Sequence, residues 1–184
     1  MSYLRSLKPE AGLLQVFQAF QQVARPLLEY HEVLLRGESP FTAGERELIA
    51  AYVSGLNHCT YCRAVHSQTA VALGINAGVM ENLISDSHDE DLDVRMRAVL
   101  AFVRKLTLSP ATITIADVAA IFAAGWNDRA LHDAASICGL FNLMNRMVNG
   151  LGIEASEAYT TLAAQRLAEK GYAHLGNLLL PSSQ

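Results

Sequence analysis

Apolar residues recur along this chain at steps of three and four, which is the spacing of one face of an α-helix. No stretch alternates between apolar and polar residues over a length useful for a strand, so the pattern predicts an all-α fold. The first amphipathic stretch is Leu13–Leu35, and we expect Pro26 to end or kink it near Arg25. No segment has the composition of a linker, so we expect residues 1–184 to form a single domain with its core at about 13–152.

Residues typical of helix ends divide the rest of the chain. Thr42 followed by Glu45 has the form of a capping box and predicts a helix over about 43–53. A break at Ser54–Asn57 separates this helix from a second one over about 59–73. Further helices are predicted at about 95–106, 114–124, 127–150 and 155–170, a solvated acidic loop at 86–93, and a partly ordered tail at 176–184.

Composition excludes several classes of protein. With 184 residues, 51% of them apolar and 17% charged, the chain suits a compact domain with a sizeable core and excludes disorder. The 14 basic and 18 acidic residues are scattered and sum to a net charge of −4, so we expect no nucleic-acid partner and no membrane surface. No apolar run is long enough to predict a membrane span, and the first residues lack the pattern of a secretory signal. A cytoplasmic location is therefore expected.

The three cysteines divide into a close pair, Cys59 and Cys62, and a single residue, Cys138. An odd count does not suit a secreted disulfide framework and indicates a reducing compartment. Cys138 lies in an apolar helical segment and is expected to be a buried small hydrophobic residue. On a helix, Cys59, Cys62 and His66 share one narrow face, and cysteines three residues apart are close enough for a reversible disulfide.

Glu47 can join these residues only if the chain reverses direction. On one continuous helix it would lie about 18 Å from Cys59. A helical hairpin folded at the Ser54–Asn57 break would instead set Glu47 level with His66, where the carboxylate orients the imidazole and makes it a better base toward Cys62. The start of a helix, in contrast, favours a thiolate on Cys59, so the spacing alone leaves open which cysteine attacks a substrate.

The pattern E-x11-C-x2-C-x3-H on paired helices resembles the core of alkylhydroperoxidase D (AhpD), within the carboxymuconolactone decarboxylase superfamily. Three segments, Glu45–Ile49, Asn57–Cys62 and Phe141–Gly152, resemble in particular an uncharacterised peroxidase-related branch of that superfamily. The resemblance covers roughly Leu13–Gly152. It implies an AhpD-like multi-helix domain with the cysteine pair at the start of a helix.

The resemblance also implies a function, that of a thiol-dependent peroxidase or related disulfide oxidoreductase. Cys62 would be the peroxidatic cysteine that passes through sulfenic acid, Cys59 its resolving partner, and Glu47 and His66 a proton relay. The substrate would be a small-molecule hydroperoxide, the reductant an external dithiol on a lipoyl-bearing or thioredoxin-like protein, and neither a cofactor nor a metal is required. AhpD itself has a histidine where this chain has Tyr61, which alters the relay.

The same resemblance bears on assembly. Members of the family form oligomers, and this chain carries few charged residues for its apolar content, with a mean hydropathy of +0.19. Its amphipathic helices present more apolar surface than a small helical monomer easily covers. We therefore expect a homo-oligomer.

Two other functions fit parts of the sequence. The superfamily includes decarboxylases that act on lactone acids through acid–base residues, although these do not need the cysteine pair found here. Zinc held by Cys59, Cys62 and His66 would instead make the chain a structural or assembly module. A structural zinc usually takes four protein ligands, and no second pair of cysteines or histidines follows at a suitable spacing. The sequence therefore favours the redox function.

Overall fold

The computed structural model describes residues 2–84 and 92–179, and within these ranges the chain forms helices and turns without a strand. The predicted all-α class is thus confirmed. Most of the predicted acidic loop at 86–93 lies outside the described residues, and so does the predicted tail beyond residue 179. The helices are α1 (Leu13–Ala19), α2 (Gln21–Arg36), α3 (Ala43–Leu56), α4 (Thr60–Ala72), α5 (Ala77–Ile84), α6 (Val94–Leu108), α7 (Ile115–Ala123), α8 (Asp128–Gly150), α9 (Glu157–Lys170) and α10 (Ala173–Asn177).

The first break in the chain does not fall at Pro26, so the prediction that the helix could end near Arg25 is wrong. Pro26 lies inside α2. The break falls at Phe20, whose N–H bonds to the Val16 carbonyl at 3.0 Å and whose own carbonyl accepts from Ala24 N–H at 3.0 Å. The proline removes one backbone hydrogen bond near the start of α2. Burial of one face of α2 in the core offsets that loss.

Helices α3 and α4 form the hairpin expected from the sequence. The capping box is present, because Thr42 Oγ1 accepts from Glu45 N–H at 3.1 Å and Glu45 Oε2 accepts from Thr42 N–H at 2.7 Å. Helix α3 continues to Leu56, beyond the predicted end near residue 53. The turn is correspondingly short and spans residues 57–59, with His58 in the left-handed region at φ 54°. So short a connection sets the two helices side by side as antiparallel neighbours.

Helix α3 is the central helix of the fold, in contact with α2, α4, α5, α6 and α8. Every residue from Arg46 to Ala51 is buried. The two charged side chains in this stretch therefore need internal partners. Arg46 donates hydrogen bonds to the carbonyls of Leu34 at 3.1 Å and Gly37 at 2.8 Å, which ties the end of α2 to α3. The partners of the other charged residue, Glu47, form the candidate site.

The chain after α9 returns to the core. Helix α9 ends where predicted, at Gly171, whose φ of 64° suits a residue without a Cβ. The Glu32 carboxylate then accepts the N–H groups of Tyr172 at 2.6 Å and Ala173 at 2.9 Å, which satisfies the start of α10. This anchoring turns the Tyr172 ring inward, where it is 3% exposed. The sequence did not predict α10 or α5.

Candidate functional site

The hairpin brings Glu47 of α3 into contact with His66 of α4. His66 Nδ1 lies 2.7 Å from Glu47 Oε2, and the Glu47 side chain is fully enclosed. A carboxylate accepts hydrogen bonds, so the proton between them belongs to Nδ1, and in the neutral form of the ring Nε2 has a free lone pair. The arrangement that the spacing predicted, a carboxylate orienting an imidazole, is therefore present in the structure.

Two further side chains, Arg36 and Tyr172, complete the surroundings of Glu47. Arg36 Nη2 donates to Glu47 Oε1 at 2.7 Å, and the Tyr172 hydroxyl donates to the same oxygen at 2.9 Å. Burial alone would raise the pKa of Glu47, but the charges and hydrogen bonds of His66 and Arg36 outweigh it and hold the pKa below its ordinary value. Burial and the nearby Glu47 charge raise the pKa of Tyr172, so its phenol keeps its proton and acts as a donor. The carboxylate is thus ionised.

Sequence reasoning missed both of these partners. Arg36 precedes Glu47 by 11 residues on a different helix, and Tyr172 follows it by 125 residues. Arg36 stands in the last turn of α2, where a basic residue is common for local electrostatic reasons. Tyr172 stands after a glycine that ends a helix, a position with no periodic signal. Nothing in the spacing of these residues points to Glu47.

Cys59 does not lie within the first turn of α4 as expected, but immediately before it. It is the N-cap residue, with extended backbone at φ −87° and ψ 93°, and Cys62 is the third residue of the helix. A side chain at the N-cap is close to the unpaired N–H groups of the first turn. Both cysteines are free thiols and both are buried. The helix start therefore acts mainly on the sulfur of Cys59.

The two thiols differ in acidity. Hydrogen bonding from Cys62 lowers the pKa of Cys59 to about 7, against the opposing effect of burial, with a smaller contribution from Asn145. The pKa of Cys62 is raised by its hydrogen bond with Cys59 and by burial. Asn145 is fixed by hydrogen bonds of its own, donating to Ser54 Oγ at 3.0 Å and accepting from Asn57 Nδ2 at 2.9 Å. The pair therefore loses its first proton from Cys59 and holds the second on Cys62.

A cavity of about 240 Å³ lies against one side of this cluster. Cys62 and His66 line it, whereas Cys59 and Glu47 lie behind its wall with no exposed surface. Tyr61, at the position where AhpD has a histidine, also lines the cavity. Most of the remaining lining is apolar and comes from α1, α2, α8, α9 and α10. The cavity thus suits an apolar molecule whose reactive group faces Cys62 and His66.

His31 is a second imidazole in the cavity wall, and sequence reasoning did not assign it to the site. It is buried, its Nδ1 lies 2.7 Å from the Leu27 carbonyl, and its ring lies edge-on to Phe141. Phe141 also contacts the His66 ring, with the centroids 4.5 Å apart. Burial lowers the pKa of His31 to about 4, so this ring is neutral at neutral pH. It contributes a polar but uncharged edge to the cavity.

The third cysteine stands apart from the site, as predicted. Cys138 is 1% exposed on α8, its sulfur lies 3.2 Å from Thr107 Oγ1, and burial raises the pKa of its thiol.

Within residues 2–84 and 92–179, no group of three or more His, Cys, Asp or Glu side chains is arranged to hold a metal ion. In the same ranges no helix has both the length and the apolar character needed to cross a membrane.

Comparison with known proteins finds a family match over part of the chain and similar solved structures. Residues 21–105, which span α2 to most of α6, match the carboxymuconolactone decarboxylase family. An uncharacterised peroxidase-related protein from Silicibacter sp. TM1040 is similar in structure, with 25% identity, a TM-score of 0.67, and coverage of 86% of this chain and 94% of that one. An uncharacterised peroxidase-related protein from Ralstonia eutropha JMP134, described as an alkylhydroperoxidase AhpD core, has 27% identity, a TM-score of 0.74, and coverage of 82% and 78%.

A third structure agrees at the level of the fold. It is a protein of unknown function from Agrobacterium tumefaciens, provisionally described as the antioxidant defence protein AhpD, with 15% identity, a TM-score of 0.67, and coverage of 77% of this chain and 95% of that one. No curated protein matches the chain. The helical fold is AhpD-like. The family that the sequence motif indicated is thus the one whose model matches residues 21–105 of this chain.

Proposed function

We propose that this protein is a thiol-dependent peroxidase, or a closely related disulfide oxidoreductase, that uses Cys59 and Cys62 as a redox pair. The observation that supports this most strongly is the position of Cys62 and His66 together in the wall of an apolar cavity, with His66 held by a buried, ionised Glu47. The family match and the peroxidase-related names of the two structural neighbours support the same class of activity.

The first chemical step is attack on the peroxide by Cys62, because Cys59 does not reach the cavity. His66 Nε2 takes the first proton of the hydrogen-bonded cysteine pair, and the Glu47 carboxylate stabilises the imidazolium that forms. The second proton shifts from Cys62 to Cys59 through their hydrogen bond, so Cys62 becomes the thiolate and Cys59 the thiol. The thiolate then attacks the terminal oxygen of the hydroperoxide, the O–O bond breaks, and Cys62 is oxidised to sulfenic acid. The leaving alkoxide takes the proton from His66 and departs as an alcohol. This alcohol is the reduced product of the hydroperoxide.

The second step uses Cys59 as the resolving cysteine. Its thiol condenses with the Cys62 sulfenic acid, which forms a disulfide and releases one water molecule. Only a short part of the chain, one helical turn, separates the two sulfurs, so the bond can form without a large rearrangement. An external dithiol then exchanges with the disulfide, becomes oxidised itself, and restores both thiols. We propose a lipoyl-bearing or thioredoxin-like protein as the source of this dithiol.

We expect one equivalent of an organic hydroperoxide to remove two of the three thiols of the reduced protein, those of Cys59 and Cys62, because only this pair is placed for oxidation. Thiol titration with mass mapping of the peptides measures this, and a dithiol should restore both groups. Cys138→Ser serves as the control. In this variant Cys59 and Cys62 should be oxidised and restored as in the wild type. A disulfide that includes Cys138, or about one zinc per chain in protein purified without chelator, would contradict the redox assignment.

The expected homo-oligomer can be tested on α2. Three apolar side chains there, Val23, Tyr30 and Val33, share one face and are 67%, 45% and 66% exposed. We expect light scattering at micromolar concentration to give a mass that is a multiple of the 20.0 kDa chain, and Val33→Glu to lower that mass. Ile115→Glu, which changes an exposed apolar residue on a different helix, α7, should not. A wild-type mass equal to that of one chain would refute the prediction.

A further inference from the structure

A cationic side chain stands at the open end of the cavity. Helix α9 contributes five lining residues at helical spacing, and of these Tyr159, Leu162 and Arg166 are exposed to solvent. Arg166 is the one permanently charged side chain among the described residues that line the cavity. Its guanidinium makes no hydrogen bond or ion pair with the described part of the chain. The mouth of an apolar cavity therefore presents an unpaired positive charge.

The position of Arg166 along the cavity wall follows from helix α9. The Tyr159 ring packs against Tyr61, with centroids 6.3 Å apart, and Tyr61 is adjacent in the chain to Cys62. Arg166 lies seven residues further along α9, which corresponds to about 10 Å along the helix axis. The cavity is thus lined both by the sulfur of Cys62 and by a cation whose backbone lies about two helical turns along α9 from the contact beside Cys62.

Other charges near the cavity are already balanced. Glu47 is enclosed and paired with Arg36 and His66, so its charge contributes little to the net electrostatic field in the cavity. Its neighbour in the wall, His31, is neutral. The carboxylate of Glu32 accepts two backbone N–H groups at the start of α10. Arg166 consequently dominates the electrostatics of the cavity mouth and favours an anionic group there.

We infer that the hydroperoxide reduced by this protein carries a carboxylate at the end of an apolar chain, as in the hydroperoxide of a fatty acid, and that Arg166 binds the carboxylate. This inference rests on the proposed function. A dry cavity of about 150 Å³ accommodates benzene, so 240 Å³ accommodates roughly ten carbon atoms between the two ends.

The kinetic test compares a fatty-acid hydroperoxide with its methyl ester, which differs only in the charge of the head group. We expect wild-type protein to have a kcat/KM about tenfold higher for the acid, and Arg166→Gln to have equal values for both. Arg166→Lys should restore part of the preference, whereas Lys170→Gln, at an exposed position on the same helix outside the cavity lining, should leave it intact. Equal wild-type values for acid and ester would overturn the inference.

A binding measurement separates this inference from the proposed peroxidase activity. Decanoate and decanol have the same chain and no peroxide, so calorimetric titration into the reduced protein reports the cavity and its mouth without turnover. We expect Arg166→Gln to weaken decanoate binding about tenfold and to leave decanol binding unchanged. If decanoate binding does not depend on Arg166, the inference is overturned. If it does depend on Arg166 while no hydroperoxide is turned over, the acid site is supported and the proposed function is overturned.

Discussion

Replacing Cys62 with serine should abolish the reduction of organic hydroperoxides in the presence of a dithiol, with a fall in kcat of more than about a thousandfold. Serine has nearly the same shape but is a far weaker nucleophile at neutral pH, and Cys62 is the sulfur that lines the cavity. Peroxide consumption under saturating dithiol is the measurement. Circular dichroism of the variant shows whether the helical fold is retained.

Cys59→Ser is the matched control for this result. Because Cys62 remains in the cavity wall, we expect this variant to consume one equivalent of hydroperoxide in a single turnover and then to stop with Cys62 as sulfenic acid. Mass spectrometry after a reagent specific for sulfenic acid detects the product. A normal single turnover by Cys62→Ser, together with none by Cys59→Ser, would assign the attack to Cys59, whose pKa is the lower of the two.

The second large effect is expected for Glu47→Gln. The amide keeps the shape of the carboxylate but removes the charge that orients and supports His66, so we expect kcat to fall by about 10² to 10⁴. The change also leaves Arg36 beside an uncharged partner, since Arg36 Nη2 donates to Glu47 at 2.7 Å, and should lower the free energy of unfolding by about 3 kcal/mol. Steady-state kinetics and denaturant titration measure the two effects. Glu45→Gln, on the same helix, retains the capping box and should change neither.

The stability difference between wild type and Glu47→Gln should depend on pH. The pKa of Glu47 lies below its ordinary value of 4.5 in the folded protein, so the unfolded chain binds more protons between these two values. The stabilisation is therefore complete above about pH 4.5 and is lost as the pH falls through the folded pKa. A difference in unfolding free energy that stays constant from neutral pH down to acid denaturation would contradict an ionised Glu47.

The sequence predicted most helices because their ends are marked by local chemistry. The Thr42 capping box and the glycine at 171 act through hydrogen bonds and backbone angles within a few residues, and both ends were placed correctly. Pro26 misled the prediction, since its local cost was outweighed by packing of α2 that depends on distant parts of the chain. The short helices α5 and α10 have too few residues for a periodic signal.

The sequence predicted those residues of the candidate site that are close together in the chain. Glu47, Cys59, Cys62 and His66 are close in sequence, and one hairpin brings them together. The side chains that complete the site come from α2, from the turn before α10 and from α9, and only the tertiary fold places Arg36, Tyr172 and Arg166 there. The register of Cys59, one residue before its helix, also depends on the turn that precedes it.

Because the turn at residues 57–59 is short, the number of residues between Glu47 and Cys59 decides whether Glu47 and His66 come into contact. Helix α3 continues to Leu56, directly before the turn, and His58 adopts a left-handed backbone conformation where the chain reverses direction. One added or deleted residue between Glu47 and Cys59 would rotate a helix by about 100° and shift it by about 1.5 Å, which would separate Glu47 from His66. The eleven intervening residues therefore fix the position of Glu47 relative to His66, and we expect an insertion or deletion within this segment to disrupt the site.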